Sequence, residues 1–185
     1  MRFKQVARAI LVHKTVILLK PLERFGSMPT QLHLALYQPD IPQNCGTILR
    51  MCACFGVSAS IIEPAGFPVS DRHFRRSGMD YLEQIEITRH INFAAFQAFA
   101  KAAERPRRVV LLSTKAAVRH IDFEFCSDDI LLLGRESAGV PEDVHASVDA
   151  RVLIPMVPQM RSLNIAVSAA VVLGEALRQV GGFYG

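Results

Sequence analysis

Residues 131–141 read LLLGRESAGVP, an apolar strand that continues directly into a polar loop containing Gly134, Glu136 and Gly139. The apolar run starts at Ile130 and ends at Leu133, a length that favours a strand over a helix. Because the run has no polar alternation, it is typical of a parallel sheet covered on both faces. Ligands of such sheets bind beyond the carboxyl ends of the strands, where this loop lies. The loop is therefore a candidate binding site, and equally a plain turn whose glycines supply positive φ angles.

On both sides of this stretch, strand patterns alternate with helix patterns. Further strands are predicted at 32–37, 59–62, 109–113 and 152–154, and helices at 47–55, 93–103 and 164–180. The polar, basic segment 64–83 is predicted to be a loop with a short helix. This alternation predicts an α/β fold, in which a parallel sheet carries helices on both faces.

The chain has 185 residues, and its length and composition suit one compact domain. We expect residues 29–185 to form this domain, and residues 1–28 to be an extension outside the fold. That first stretch is basic and apolar, with no acidic residue before Glu23. No segment is long enough to span a membrane, and we expect a cytoplasmic protein. The net charge of +4 suits a polyanionic partner such as RNA, and suits a merely solvated basic surface equally well.

Cysteine and histidine spacing gives no sign of a metal site. The four cysteines include no CxxC pair, and Cys52 and Cys54 fall on nearly opposite faces of the predicted helix. Reduced thiols, mostly buried, are therefore expected. The histidines at positions 33, 73, 90, 120 and 145 are dispersed, so we interpret each as a surface or core residue. We expect no metal cofactor.

Two further loops carry polar residues next to predicted helices. The first, NCGTILR at 44–50, places Asn44 where it could cap the helix, and Arg50 about 200° around the helix from Ile48. The second, at 154–168, gathers polar side chains at the start of the last helix, where Ser162 or Asn164 could be a cap or part of a ligand site. The absence of GxGxxG and of a Walker A loop argues against a dehydrogenase and an NTPase.

The three loops together, in this order, resemble the three motifs of the SpoU-type methyltransferases of the SPOUT superfamily. The turn IEPAGF at 62–67 and the segment RRSGMDY at 75–81 add to the resemblance, which covers residues 32–179. It is closest to the small single-domain enzymes that act on the wobble nucleotide of tRNA. The resemblance implies a trefoil knot in the C-terminal half, a homodimer, and S-adenosylmethionine as the cofactor. It also implies methylation of a ribose 2′-hydroxyl of cytidine or uridine in the tRNA anticodon stem-loop, with leucine tRNAs as the expected substrates.

The resemblance assigns roles to individual residues. The residues matched to catalysis are Arg50, Asn44, Glu136 and Asn164, and those matched to cofactor binding are Leu112, Gly134, Ile154 and Ser162. A stretch that mixes basic and aromatic side chains at 71–81 is expected to contact the RNA, through Arg72, Arg75 and Arg76. Arg135 departs from the residue that close relatives often carry, which leaves the details of the substrate open.

Three alternatives remain at this point. The same chemistry could act on another tRNA position or on rRNA. The chain could be a catalytically silent RNA-binding protein that has kept the fold, although the matched polar residues are all present. It could also be an unrelated α/β nucleotide-binding enzyme, which the missing phosphate loops disfavour.

Overall fold

The computed structural model describes residues 10–12, 15–17, 31–68, 85–102 and 106–183. Two short strands near the start, β1 (Ile10–Val12) and β2 (Thr15–Ile17), pair with each other and form a sheet separate from the main one. The remainder of the proposed extension 1–28 lies outside the described residues, so its separation from the fold stays a prediction.

Within the described ranges, seven strands form one sheet in which every pairing is parallel. In chain order these strands are β3 (His33–Tyr37), β4 (Ser58–Ile62), β5 (Ile87–His90), β6 (Val109–Leu112), β7 (Val118–Arg119), β8 (Ile130–Leu133) and β9 (Ala150–Leu153). Their order across the sheet is β5-β4-β3-β8-β6-β9-β7. The predicted parallel α/β fold is thereby confirmed, and the trefoil knot stays a prediction.

Four α-helices of the described residues accompany the sheet: α1 (Pro42–Phe55), α2 (Phe93–Lys101), α3 (Glu142–Ser147) and α4 (Ile165–Val180). Helix α1 begins five residues before the predicted start at 47, because Pro42 suits a first helical turn, where its missing N–H is not needed. The Asn44 side chain therefore does not cap α1, whose N-cap residue is Ile41. Helix α4 agrees with its prediction, and Asn164 is its cap.

Several elements escaped the sequence pattern. Strands β5 and β7, helix α3 and a 3₁₀ turn at His120–Asp122 were not predicted. Three of the four residues of β5, ITRH, are polar, and β7 is only two residues long with both side chains exposed. Neither strand therefore carries the apolar run that marks β8.

The core lies on both faces of the sheet. Strand β3 shows this most clearly, because Leu34 and Leu36 belong to the layer under α1 and α4, whereas Ala35 packs into the layer that contains Phe96 of α2. Successive side chains of a strand point to opposite faces, so a strand covered on both sides is buried at every position. The continuous apolar pattern of β8 has the same cause.

A network of buried, hydrogen-bonded polar side chains lies in the layer beneath α2. His33 bonds through Nδ1 to Ser58 Oγ and through Nε2 to Ser60 Oγ, each at 2.7 Å. Ser60 Oγ lies 2.9 Å from His90 Nε2. Burial, together with the nearby positive charge of Arg107, lowers the pKa of His33 to about 3. His33 and His90 are thus neutral core residues, as the sequence interpretation held.

The described part of the chain has no set of three or more His, Cys, Asp or Glu side chains arranged to hold a metal ion. Cys45 and Cys52 are buried, and Cys54 and Cys126 are exposed, so half of the thiols rather than most of them lie in the core. None of the helices in the described ranges has the length and apolar character needed to cross a membrane.

Candidate active site

A cavity of about 420 Å³ lies at the carboxyl ends of β6, β8 and β9. Its lining includes Leu112, Gly134, Ile154 and Ser162. The structure therefore brings together all the residues that the sequence matched to cofactor binding. The segment after β6 also contributes Ser113 to the wall, and the segment after β9 contributes Arg161.

The loop after β8 is a tight hairpin. Arg135 and Gly139 exchange backbone hydrogen bonds of 2.8 and 2.9 Å, and Gly139 has φ +66°. A Cβ on Gly134 would lie 2.6 Å from the carbonyl carbon of Gly139 and 2.8 Å from its Cα. Both glycines therefore serve the shape of a turn, and the same turn forms one wall of the cavity. The loop can therefore be both alternatives at once, a turn shaped by its glycines and part of a binding site.

Glu136 joins this hairpin to the loop after β3. Its Oε1 accepts a hydrogen bond of 3.2 Å from Asn44 Nδ2, and its Oε2 accepts one of 3.1 Å from the backbone amide of Asp40. Strands β3 and β8 are neighbours in the sheet, although the chain leaves β3 toward β4 on its other side. The Glu136 contact therefore lies where the connections diverge, the position at which parallel sheets bind ligands.

Asn164 extends the same chain of hydrogen bonds to the third loop. Its Nδ2 donates to Asn44 Oδ1 at 3.1 Å, and its Oδ1 accepts from the backbone amide of Ala166 at 2.8 Å. Asn164 is thus the cap of α4 and at the same time one end of the hydrogen-bonded series Asn164–Asn44–Glu136, which we call the polar chain. Three of the residues matched to catalysis are therefore connected although they are far apart in sequence, because Asn44 bonds both to Glu136 and to Asn164.

Asp40 was not predicted and lies at the centre of the contact between the first two loops. Its Oδ1 accepts a 3.0 Å hydrogen bond from the backbone amide of Glu136, and its Oδ2 accepts one from the hydroxyl of Ser137. Arg135 Nε is 3.5 Å from Asp40 Oδ2. The available signal was a carboxylate in the loop that directly follows a buried strand.

The two neighbouring carboxyl groups have opposite pKa shifts. Burial raises the pKa of Glu136, and the adjacent Asp40 raises it further. Burial also disfavours the charged form of Asp40, but hydrogen bonds from Glu136 and Ser137 outweigh that effect and lower the pKa of Asp40 below its usual range. The contact therefore shifts the pKa values of the two carboxyl groups in opposite directions.

Arg50 occupies an exposed position on α1, and Ile48 and Cys52 of the same helix are buried. This confirms that Arg50 lies opposite the apolar stripe. Arg50 is not among the residues that line the cavity of its own chain. The proposed RNA contacts Arg72, Arg75 and Arg76 lie outside the described residues.

Residues 31–174 match the family described as the SpoU rRNA Methylase family. A protein of Beijerinckia indica subsp. indica named tRNA (cytidine(34)-2′-O)-methyltransferase is 72% identical over 148 residues, which cover 80% of this chain and 91% of the relative. A protein of the same name from Escherichia coli K12 is 40% identical over 152 residues, covering 81% and 94%.

Solved structures show the same likeness. One, described as giving structural insights into the 2-OH methylation of C/U34 on tRNA, has a TM-score of 0.77 and 40% identity, covering 83% of this chain and 99% of that chain. The methyltransferase AviRb of Streptomyces viridochromogenes, solved in complex with the cofactor AdoMet, has a TM-score of 0.77 at 27% identity, covering 88% and 63%.

Proposed function

The chain belongs to the SpoU rRNA methylase family, and from this premise we propose that it methylates the ribose 2′-hydroxyl of the wobble nucleotide of tRNA. The methyl donor is S-adenosylmethionine, and the acceptor is cytidine or uridine 34, as in the names of the relatives. The observation that carries the proposal is the polar chain Asn164–Asn44–Glu136 at the edge of the cavity. It joins three loops that are far apart in sequence at one place.

The cavity fits the cofactor in size and chemistry. Its volume of about 420 Å³ falls within the roughly 300–1,000 Å³ of small-molecule pockets. The wall combines apolar side chains such as Leu112 and Ile154 with the tight turn at Gly134, a combination that suits a flat base and a ribose. Leu112, Gly134, Ile154 and Ser162 would hold the cofactor, whose sulfonium supplies a methyl group that is readily transferred.

The protein's own contribution is alignment and charge. We assign to Arg50 the task of orienting the ribose hydroxyl and an adjacent phosphate, and of stabilising the alkoxide as it develops. Arginine is normally protonated, which makes it a better charge-stabilising donor than a base. The Asn44 amide group holds Glu136 in place, and the Asn164 amide group in turn holds Asn44. Alignment of this kind can supply several kcal/mol, up to about 7–11 kcal/mol in ideal cases.

A homodimer completes the proposed site. Exposed apolar side chains occur at the start of α1, in the loop before α4 and in α4 itself, at Ile41, Val157, Met160, Leu163, Val167 and Val171. Helices α1 and α4 pack against each other, so their outer faces adjoin. We place the partner copy on this surface and let Arg50 act across the interface, since Arg50 does not line its own cavity. In sedimentation, the parent chain should be a dimer and the double variant Val167→Asp, Val171→Asp should be a monomer. A variant that sediments with the same mass as the parent chain would contradict this placement.

The RNA partner is the tRNA anticodon stem-loop, with leucine tRNAs as the proposed substrates and the cytoplasm as the place of reaction. Arg72, Arg75 and Arg76 are proposed to neutralise phosphates of this stem-loop.

The deciding experiment measures tRNA nucleosides by mass spectrometry after incubating purified protein with S-adenosylmethionine and undermodified tRNA. We expect a 2′-O-methyl group on nucleotide 34, formed much more slowly when Glu136→Gln protein is used. A methyl group at another tRNA position, or only on rRNA, would overturn the assignment of the substrate. Cofactor binding without any transfer would favour a silent RNA-binding protein.

A further inference from the structure

We propose that Asp40 is a positioning residue that holds the Glu136 carboxylate in register with Asn44 during methyl transfer. Asp40 is absent from the cavity lining and acts from behind the loop that forms the wall. The inference rests on the proposed function for the reaction it affects, but its structural part can be tested without any activity.

The contact between the two residues is reciprocal. The Asp40 amide donates to Glu136 Oε2 at 3.1 Å, and the Glu136 amide donates to Asp40 Oδ1 at 3.0 Å. Each carboxylate therefore accepts the backbone N–H of the other residue. Two such bonds fix the backbone of Glu136 together with the direction of its side chain, which leaves Glu136 Oε1 directed at Asn44.

Asp40 gathers contacts from three successive loop residues. Besides Glu136, it accepts the hydroxyl of Ser137 and faces Arg135 Nε at 3.5 Å. A charged acceptor strengthens each of these bonds relative to a neutral one. The departure noted at Arg135 therefore has a local partner, because its guanidinium lies beside this carboxylate.

The opposite side of Asp40 is held by the turn at 62–67. Gly66 donates its amide to Pro39 O at 2.8 Å, and a Cβ on Gly66 would lie 3.0 Å from both Cα and Cβ of Asp40. Asp40 thus has little room to move away from the hairpin. This packing makes it a rigid support for Glu136 rather than a mobile surface carboxylate.

The test compares Asp40→Asn with a matched control, Asp149→Asn. Asp149 Oδ2 accepts the backbone amide of Val109 at 2.8 Å, at the amino ends of the strands, away from the cavity. Asp40→Asn keeps the shape but removes the charge and turns one acceptor into a donor that faces Ser137 or Glu136. We expect kcat to fall about 10- to 100-fold, the range for hydrogen bonds to a charged group. The KM for S-adenosylmethionine should change far less, and Asp149→Asn should leave kcat unchanged.

A second readout does not depend on activity. Because Asp40 helps to raise the pKa of Glu136, Asp40→Asn should lower that pKa in a carbon-detected NMR titration, while Asp149→Asn should not. A double variant Asp40→Asn, Glu136→Gln should be no slower than Glu136→Gln alone, since one residue acts through the other. If Asp40→Asn does not fold, Ser137→Ala removes one donor to Asp40 and should lower kcat by a smaller factor at unchanged Tm.

The outcomes separate the two claims. Near-normal kcat in Asp40→Asn, an unshifted Glu136 pKa, or losses that multiply in the double variant would each overturn the positioning role. If the parent protein transfers no methyl group while the Glu136 pKa still shifts in Asp40→Asn, the proposed function fails and the structural link stands.

Discussion

Replacing Gly134 with alanine is the smallest change that challenges the cavity wall. The added Cβ would lie 2.6 Å from a backbone carbon of Gly139, closer than real Cβ contacts, and the obstacle is main chain that cannot rotate away. The hairpin must therefore shift, at a cost of about 1–3 kcal/mol, the range for overpacking a filled site. Since the same hairpin carries Glu136 and lines the cavity, the shift should also reduce cofactor affinity.

The chain offers two matched controls for this change. Gly174 lies inside α4 with no atom within 4 Å of an added Cβ, so Gly174→Ala should stabilise the protein by about 0.5–1 kcal/mol. Gly139 also has open space, but its φ of +66° makes Gly139→Ala costly by about 1–2 kcal/mol through backbone strain alone. The three glycines thus separate a steric clash, a strained backbone and a tolerated site.

The assay is urea unfolding of the three variants together with calorimetry of S-adenosylhomocysteine binding. For Gly134→Ala we expect a lower free energy of unfolding and an affinity reduced about tenfold, which corresponds to about 1.4 kcal/mol. For Gly174→Ala we expect unchanged affinity. If Gly134→Ala unfolds and binds like the parent chain, the close approach of Gly134 and Gly139 does not shape the cofactor site.

Three further predictions concern Arg50, His33 and the basic segment at 71–81. Arg50→Ala should fold and bind S-adenosylmethionine normally but transfer the methyl group about 10²–10³-fold more slowly, and Arg50→Lys should also be slow; near-normal transfer by Arg50→Ala alongside a slow Asn164→Ala would move the central role to the third loop. The pKa of His33 is lower in the folded chain, at about 3, than its ordinary value of 6.5, so the unfolded chain binds more protons between these values. The contribution of neutral His33 to the free energy of unfolding should therefore be fully present above pH 6.5 and should decrease as the pH falls toward 3, by up to about 1.4 kcal/mol per pH unit. If urea unfolding of His33→Gln shows the same dependence of the unfolding free energy on pH as the parent chain, this prediction is wrong. Arg75→Ala with Arg76→Ala should weaken tRNA binding and flatten its salt dependence by about 0.7–0.9 in slope per lost phosphate contact, and an unchanged slope would exclude the phosphate role.

The sequence determined those features that depend on neighbours along the chain. The apolar run of β8 and the stripe of α4 identified a parallel α/β fold, because burial on both faces or on one helix face leaves a local pattern. The order of three polar loops indicated the family and the residues around the cavity. Elements without such a pattern, such as β5 and β7, acquire their structure from pairing with distant strands and could not be found this way.

Which loop residues contact one another became known only from the three-dimensional fold. Asp40 and Glu136 are 96 positions apart, and Asn44 and Asn164 are 120 apart. The Asp40–Glu136 contact follows from the placement of β8 beside β3, and the Asn44–Asn164 contact from the packing of α4 against α1; no local pattern contains either arrangement. Asn44 illustrates the difference: its residue type and position suggested a helix cap, whereas the fold places Glu136 within hydrogen-bonding distance of its amide. The physical reason is that a hydrogen bond depends on distance in space, and strand order together with helix packing brings these residues close.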